Sequence, residues 1–473
     1  MEHSKPIHPP VLLWFRRDLR LADNPALAAA LTGGRAVVPV FILDEITPGK
    51  WAPGRASRWW LHGSLAALDA DLRALGSRLV LRRGVYAEEI ARLMQETGAR
   101  EIHTGAAVEP WARRAIAALS ERFAVRQYRT SLLFHPTEIK TGSGTPYGVF
   151  TPFAKACLRA LPPRDLIPAP SHLPSTALPP TSLPQSDALA DWKLRPTMPN
   201  WATGWENLHR PGEAGARRAL ERFLPRVGAY AGQRDIPGSE GTSRLSPHLA
   251  WGEISADAVW QAADTEAEGR GVEVFRNELL WREFSAQLLY FQPALPEHPL
   301  KPAYAAFPWR TDPKALDRWQ RGQTGIPIVD AGMRQLWQTG WMHNRVRMIV
   351  ASFLIKHLLI DWRDGEAWFW DTLLDADLAA NAASWQWVAG SGADASPFVR
   401  IFNPCLQGEK FDPDGAYVRR FVPELASARG KAIHAPWLDP MASRSYAAPL
   451  LDLAVGRARA LEALKTIKLP LAE

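Results

Sequence analysis

Apolar residues cluster into five short runs within the first 135 positions, and each run has the length of a β-strand. The runs are VLLWF, AVVPVFILD, RLVLRRG, EIHTG and AVRQYR. Helical patterns lie between them, one starting at Asn24 and Pro25 and another at Ser57 and ending at Gly76. Strands that alternate with helices predict a parallel sheet covered on both faces. We therefore assign residues 1–135 to a Rossmann-like α/β domain.

Proline dominates the next part of the chain, where the sequence from residue 161 reads LPPRDLIPAPSHLPSTALPPTSLPQ. Proline at this density supports neither a helix nor a central strand. The pattern predicts an extended connector, and we assign residues 136–205 to a Pro-rich interdomain linker.

Beyond residue 205 the apolar residues recur at spacings of three and four, which predicts helices almost throughout. The predicted helices cover residues 212–224, 246–266, 271–292, 328–339, 341–360, 364–374 and 376–386. No repeat period is visible, so a solenoid is not favoured. Residues 206–473 are therefore expected to form an all-α domain.

Length and composition agree with two globular domains, since 473 residues exceed one ordinary core. The formal charge of +7 favours a polyanionic partner, but charge alone is a weak indication. Cys157 and Cys405 are too few and too far apart for a disulfide framework, and no compact histidine motif predicts a metal site. The chain has no apolar run of about 18 residues and no signal-peptide core. A monomeric cytoplasmic protein without membrane contact is expected.

Candidate functional residues are most concentrated between residues 341 and 387, where polar and aromatic side chains share helical faces. Asn344 and Met348 are four residues apart with Arg347 beside them, so the three side chains could reach one target. Asp377 and Asn381 are likewise four apart, Trp385 continues that face, and Trp387 follows in the WQW turn. Acids and arginines are rarely buried unless they are paired. The segment predicts a pocket with a polar floor and an aromatic mouth.

A second candidate segment is EGTSRLSPHLAWGEIS, which offers hydroxyl groups at Thr242, Ser243 and Ser246. Ser246 followed by Pro247 predicts a helix cap with proline in the first turn. Free amides at a helix start, together with hydroxyl groups, can bind an anion. A simple capped helix start is the alternative interpretation of this segment.

A third segment, NELLWREF, places Glu278, Trp281 and Arg282 within about one helical turn. A buried carboxyl group beside tryptophan can hydrogen-bond a base, either as an acceptor or, when protonated, as a donor. The first strand is followed by no glycine, so the GxGxxG motif is absent and NAD binding of the usual kind is excluded.

These motifs, together with LLWFRRDLRLADNPAL, DADLAAN and RIFNPCLQGEKFDPDGAYVRRFVPEL, strongly resemble the photolyase/cryptochrome family. The resemblance covers nearly the whole chain and is greatest to bacterial photolyases for cyclobutane pyrimidine dimers. It implies an α/β domain followed by an all-α FAD-binding domain. It also implies light-dependent repair of damaged DNA, with the dimer flipped into a pocket and split by an electron from excited reduced FAD.

The resemblance assigns roles to individual residues. The implied FAD contacts are Tyr230, Thr242, Ser243, Arg244, Leu245, Ser246, Arg282, Arg347, Asp375, Asp377 and Asn381. The implied contacts to damaged DNA are Arg234, Glu278, Trp281, Asn344, Arg345, Met348, Trp387, Arg400 and Lys410. The catalytic set is Glu278, which would hydrogen-bond the dimer, Asn381, which would face the reactive flavin nitrogen, and an electron relay of Trp385, Trp362 and Trp309.

An antenna chromophore is also implied for the α/β domain, and a methenyltetrahydrofolate is preferred over a deazaflavin. Trp51, Glu109 and Trp111 could form the walls of its site. Surface and packing roles are at least as plausible for these three residues from the sequence alone.

Two residue choices narrow the implied function. Related plant cryptochromes carry an acid and animal ones a thiol at the place of Asn381, so Asn381 favours repair. The (6-4) photolyases carry histidines at the places of Asn344 and Met348, so the cyclobutane dimer is favoured. A blue-light receptor, including the DASH-type cryptochromes, remains the alternative, while an NADH-dependent flavoprotein lacks the nicotinamide motif.

Overall fold

The computed structural model describes residues 9–160, 164–173, 183–395 and 397–467. Five strands form one parallel sheet, as the sequence predicts, in the order β3-β2-β1-β4-β5. Their bounds are β1 Val11–Phe15, β2 Val37–Leu43, β3 Val80–Arg83, β4 Glu101–Gly105 and β5 Ala124–Tyr128. β1 and β2 are buried along their whole length, which explains their nearly continuous apolar sequences.

Four helices accompany the sheet: α1 Pro25–Leu31, α2 Arg55–Ala74, α3 Tyr86–Thr97 and α4 Pro110–Ser120. The predicted cap of α1 is confirmed, because Asn24 accepts hydrogen bonds from the backbone amides of Ala26 and Leu27. The predicted start of α2 at Ser57 is wrong. The helix begins at Arg55, and Ser57 is a buried residue of its first turn, with its hydroxyl facing the carbonyl of Leu373.

The segment predicted as a linker contains regular structure as well as extended chain. It holds helix α5, Phe150–Ala160, and a 3₁₀ turn at Leu189–Trp192. The proline-rich residues 161–163 and 174–182 lie outside the described residues. The proposed division into residues 1–135, 136–205 and 206–473 stays a prediction.

The remainder of the described chain is helical, as predicted. Its helices are α6 Trp205–Leu208, α7 Glu213–Phe223, α8 Tyr230–Gln233, α9 Ser246–Trp251, α10 Ala256–Glu266, α11 Arg270–Phe291, α12 Pro313–Gln320, α13 Pro327–Thr339, α14 Asn344–Ser352, α15 Trp362–Thr372, α16 Leu378–Ala389, α17 Pro404–Phe411, α18 Ala416–Phe421, α19 Pro440–Ser445 and α20 Leu453–Lys465. A π-helical turn, Phe353–Leu358, extends α14. Among the described residues, no helix is long and apolar enough to cross a membrane.

The single helix predicted over residues 246–266 is in fact two helices, α9 and α10. Gly252 ends α9 with a φ of 65°, a left-handed conformation that favours glycine. A β-carbon at this position would also clash with the backbone of Arg17, which belongs to the α/β domain. The break therefore lets the helical domain approach the sheet closely.

Two buried carboxylates of the helical domain accept hydrogen bonds across this interface. Glu253 accepts from the indole nitrogen of Trp60 at 3.1 Å and from the amide of Gly212 at 2.7 Å, and it also bonds Ser64 and His248. Glu283 of α11 accepts from the backbone amides of residues 133 and 134 at 3.0 and 3.2 Å. Burial raises the pKa of Glu283 to about 7. These carboxylates connect α9 and α11 to the first domain.

We expect Glu253→Ala to lower the free energy of unfolding by at least about 2 kcal/mol, because it leaves buried donors on Trp60 and Gly212 without an acceptor. Chemical denaturation of the holoprotein measures this loss. Glu268→Ala, at an exposed position, is the matched control. Equal effects of the two substitutions would contradict the role given to Glu253.

Candidate cofactor and DNA site

Helix α16 packs against both α11 and α14, and these three helices carry ten of the predicted site residues. Short helix α8 and the 3₁₀ turn before it, Leu224–Ala229, also lie against α11. The sequence predicts these helices from the spacing of their apolar residues, but it does not predict which helices pack together.

The predicted pair of Arg347 and Asp375 is present at one end of this site. Arg347 of α14 donates from Nη2 to Oδ2 of Asp375 at 2.8 Å, and its Nε donates to the carbonyl of Met342 at 2.8 Å. The carboxylate is 4% exposed, and its second oxygen, Oδ1, is buried without a hydrogen-bond partner. A buried acceptor without a donor is costly. A cofactor with an N–H or O–H group would satisfy this atom, so the residues present fit FAD.

Asp377 and Asn381 stand on the first two turns of α16. Asp377 is the N-cap and accepts from the amide of Ala380 at 2.9 Å. Asn381 donates from Nδ2 to the carbonyl of Glu366 on α15 at 3.0 Å. That bond fixes the orientation of the amide and leaves its oxygen available as an acceptor.

Glu366 itself is a residue that the sequence reasoning missed. It is fully buried, and neither carboxylate oxygen has a hydrogen-bond partner. Burial raises the pKa of Glu366 well above its usual range, which favours the neutral acid. In the sequence WRDGEAWFW it looks like an ordinary surface charge. The tryptophans that flank it were the one available sign of burial.

The predicted anion segment, which includes Thr242, Ser243 and Ser246, leads into a helix as expected, but the predicted helix cap is wrong. Ser246 does not cap α9: the cap position is Leu245, and no side chain bonds the helix start. The hydroxyl of Ser246 instead accepts from the indole of Trp341 at 3.3 Å. Arg244 has a φ of 57°, and its guanidinium lies 3.6 Å from the centre of the Trp341 ring. Burial lowers the pKa of Arg244 to about 10, which still leaves it cationic.

Other predicted cofactor residues have well-defined surroundings. Ser243 accepts from the amide of Leu245 at 3.3 Å, and Thr242 is half-buried beside it. Tyr230 begins α8 and packs at the edge of the rings of Phe223 and Phe275. The guanidinium of Arg282 donates to the carbonyls of Ser131 and Leu249, at 2.6 and 3.1 Å, and so contacts both domains. The assignment of these residues to FAD stays a prediction.

Five predicted DNA contacts gather at a mouth beside α11. Arg234 forms an ion pair with Glu278, and Arg345 lies 3.8 Å from the sulfur of Met348. Arg345 and Lys410 both lie over the ring of Phe411, at 4.4 and 5.1 Å. Burial raises the pKa of Glu278, while Arg234 opposes the shift. Asp235, which the sequence reasoning missed, pairs with Arg345 at 2.8 Å.

The aromatic walls of this mouth include a residue of α5. Trp281 stacks on Phe150 of α5 with ring centres 3.6 Å apart and nearly parallel planes. Trp387 is half-buried and Asn344 is exposed, so both can meet a large ligand. Arg400 stands on a separate loop, where the amine of buried Lys356 donates to its carbonyl at 2.9 Å.

Of the three predicted relay tryptophans, two are buried and one is half-buried. Trp385 and Trp362 are 2% and 1% exposed, whereas Trp309 is half-buried and packs against Phe307 at 4.3 Å. Trp385 lies directly against Gly365 of α15, where a β-carbon would overlap the indole ring. The absence of a side chain at Gly365 therefore permits this close approach.

Two adjoining clefts open at the carboxyl ends of the sheet strands. One, of about 530 Å³, has Trp51, Glu109 and Trp111 in its lining, and so brings together the three residues considered for the antenna. The other, of about 770 Å³, lies between the domains and reaches Asp377. Arg17 lines both clefts, with its Nε 3.9 Å from Glu109. No group of three metal-ligating side chains occurs within the described ranges.

We expect Glu366→Gln to stabilise the protein increasingly as pH rises. Burial raises the pKa of Glu366 in the folded state above its value in the unfolded state, near 4.5. Above that pH the unfolded chain releases the proton while the folded chain keeps it, so the free energy of unfolding of the wild type falls as pH rises. Glutamine keeps the shape and never ionises. The difference in unfolding free energy from the wild type should grow with pH, by at most about 1.4 kcal/mol per unit. Denaturation at several pH values, with Glu268→Gln as control, measures it; a difference independent of pH would contradict the prediction.

Comparison with known proteins identifies the family. A family model for the DNA photolyase domain matches residues 11–174, and one for the FAD binding domain of DNA photolyase matches residues 275–466. The chain is 49% identical to the deoxyribodipyrimidine photo-lyase of Agrobacterium fabrum, over 97% of this chain and 98% of that protein. It is 36% identical to cryptochrome-1 of Arabidopsis thaliana, over 96% of this chain and 70% of that protein.

A solved structure agrees with these matches. The crystal structure of a bacterial class III photolyase from Agrobacterium tumefaciens superposes with a TM-score of 0.92 at 46% identity, covering 98% of this chain and 99% of that one. The predicted fold, an α/β domain with a helical FAD-binding domain, is thereby confirmed. The chain belongs to the DNA photolyase family.

Proposed function

We propose that this chain is a light-dependent deoxyribodipyrimidine photo-lyase that repairs cyclobutane pyrimidine dimers. One observation supports it above all: Arg347 of the Arg347–Asp375 pair, which leaves a buried acceptor unsatisfied, and Glu278 of the Arg234–Glu278 pair stand on α14 and α11, which both pack against α16. A cofactor site and a lesion site would thus adjoin. When bound and reduced, FAD supplies the light-driven electron that splits the dimer.

The mouth suits a flipped pyrimidine pair. Trp281 and Trp387 offer apolar faces, and stacking contributes roughly 1–3 kcal/mol per base. Glu278 can accept from a base N–H or, once protonated, donate to a base carbonyl. A dimer already distorts the duplex, so flipping it costs less than flipping intact bases.

The residues at the cofactor end suit a group that carries negative charge when reduced. Arg347 supplies a fixed positive charge, and the free oxygen of Asp375 accepts a donor. The Asn381 amide, held by the Glu366 carbonyl, can offer its oxygen to a nearby N–H. Burial raises the pKa of Glu366 and so favours its neutral form, which limits the repulsion between this acid and a negatively charged cofactor.

The DNA backbone would be held by Arg234, Arg345, Arg400 and Lys410. Contacts from such cations to phosphates make affinity strongly dependent on salt and carry little sequence information. That property suits an enzyme whose lesion can occur at almost any site. Trp385, Trp362 and Trp309 would carry electrons inward from the surface to restore the reduced cofactor.

We further propose that the cleft of about 530 Å³ holds an antenna with a planar heteroaromatic ring, a methenyltetrahydrofolate in preference to a deazaflavin. Ligands of parallel sheets bind at the carboxyl ends of the strands, where this cleft opens. Trp51 and Trp111 can contact the ring, and Glu109 can accept from the amino edge of a pterin. Arg17 can pair with the carboxylates of a folate tail.

Repair is tested by reducing the holoprotein, adding an oligonucleotide with one thymine dimer, and illuminating with blue light. Chromatography of the products should show intact thymines in light and none in darkness. Failure to repair while FAD is bound would favour a blue-light receptor. Comparing duplex with single-stranded substrate separates this enzyme from a DASH-type cryptochrome.

Trp385→Phe provides the matched control for that assay. Because Trp385 is proposed to refill the cofactor and not to touch the dimer, chemically reduced Trp385→Phe should repair at a rate close to that of the wild type. Light-driven reduction of the oxidised protein should be lost. Loss of repair in the chemically reduced variant would contradict the relay role.

The antenna site is tested with Glu109→Gln. Replacing a charged acceptor with an amide should lower the ratio of antenna to FAD in purified protein at least about tenfold, as expected for a charge-assisted hydrogen bond. Extraction and absorbance spectra measure the ratio and identify the chromophore. Glu88→Gln, on the exposed face of α3, is the control. An unchanged ratio would place the antenna elsewhere.

A further inference from the structure

Four charged side chains alternate in sign across the mouth, and we call them the charge ladder: Glu278, Arg234, Asp235 and Arg345. Arg234 pairs with Glu278, and its Nε lies 4.0 Å from Asp235. Arg345 donates two hydrogen bonds to Asp235, from Nη2 to Oδ2 at 2.8 Å and from Nε to Oδ1 at 3.3 Å. Asp235 therefore stands between the two arginines, and the ladder carries no net charge.

Without Asp235, two cations would face one carboxylate at the mouth. Arg234 touches Glu278 directly, and the positive field of Arg345 also reaches it. Tyr230, the remaining titratable neighbour, is uncharged at physiological pH because burial raises its pKa. Two cations facing Glu278 would hold it as a carboxylate, which can only accept hydrogen bonds. The carbonyl oxygens on a pyrimidine edge need a donor.

We propose that Asp235 is a positioning residue that holds both arginines and supplies the second negative charge, so that Glu278 can take up a proton and donate to the lesion. The proposal rests on the proposed function. It accounts for the position of a carboxylate between two arginines of the mouth. In this role Asp235 acts through Arg234 and Arg345.

The effect on pH dependence has a definite sign. Dimer binding through a protonated Glu278 weakens as pH rises through the pKa of that group. The Asp235 carboxylate raises the pKa of Glu278, so removing its charge lowers this pKa. In Asp235→Asn the affinity for the dimer should begin to fall at a pH lower than in the wild type, by about half a pH unit or more.

The experiment measures the affinity of the holoprotein for a dimer-bearing duplex across pH, at constant salt. Asp235→Asn should shift the profile to lower pH, and Asp235→Glu, which keeps the charge, should restore it. In a Glu278→Gln background, the same Asp235→Asn substitution should shift nothing. Asp371→Asn is the matched control, since Asp371 is similarly exposed and pairs with Arg55.

The outcomes separate the two proposals. If the wild type neither prefers dimers nor repairs them, the proposed function fails. If the wild type does both, but Asp235→Asn leaves the pH profile unmoved or shifts it equally in the Glu278→Gln background, the role of Asp235 is wrong. Circular dichroism and FAD content show that each variant is folded.

Discussion

Carboxylates buried between the two domains are the interactions on which the site depends. Glu253 follows α9, which begins within the predicted anion segment. Glu253 accepts hydrogen bonds from α2 of the α/β domain. Glu283 lies five residues after Glu278 on α11 and accepts from the backbone at residues 133 and 134. Buried charge persists only where donors surround it. The helices that carry the site are therefore fixed by the domain that does not contain it.

The need of a buried charge for nearby donors also distinguishes the acids within the site, because their partners differ. Asp375 is paired with an arginine, Glu366 has no donor at all, and Glu278 stands between these extremes, with one arginine opposing the effect of burial. Environment, and not residue type, decides which of these groups is charged. One site thus holds an acid in an ion pair, an acid whose neutral form is favoured by burial, and an acid on which burial and an arginine act in opposite directions.

Local pattern was sufficient to predict some features and not others. The five strands followed from short apolar or β-rich runs, and the cap at Asn24 followed from its neighbours. The break at Gly252 was missed because it depends on how closely Arg17 approaches. Asp235 and Glu366 were missed for a related reason. Their partners and their burial are set by other helices, and no spacing along the chain records them.

The stacking of Phe150 on Trp281 bears on whether the catalytic half could exist alone. Phe150 belongs to α5, ahead of the proline-rich connector, yet its ring covers one face of a tryptophan proposed to receive the lesion. A fragment cut at the connector would expose the indole face that Phe150 covers and would lose this rigid backing. Helix α5 is thus a structural part of the proposed lesion pocket, and the catalytic half is not expected to keep the shape of that pocket when it is separated from the preceding chain.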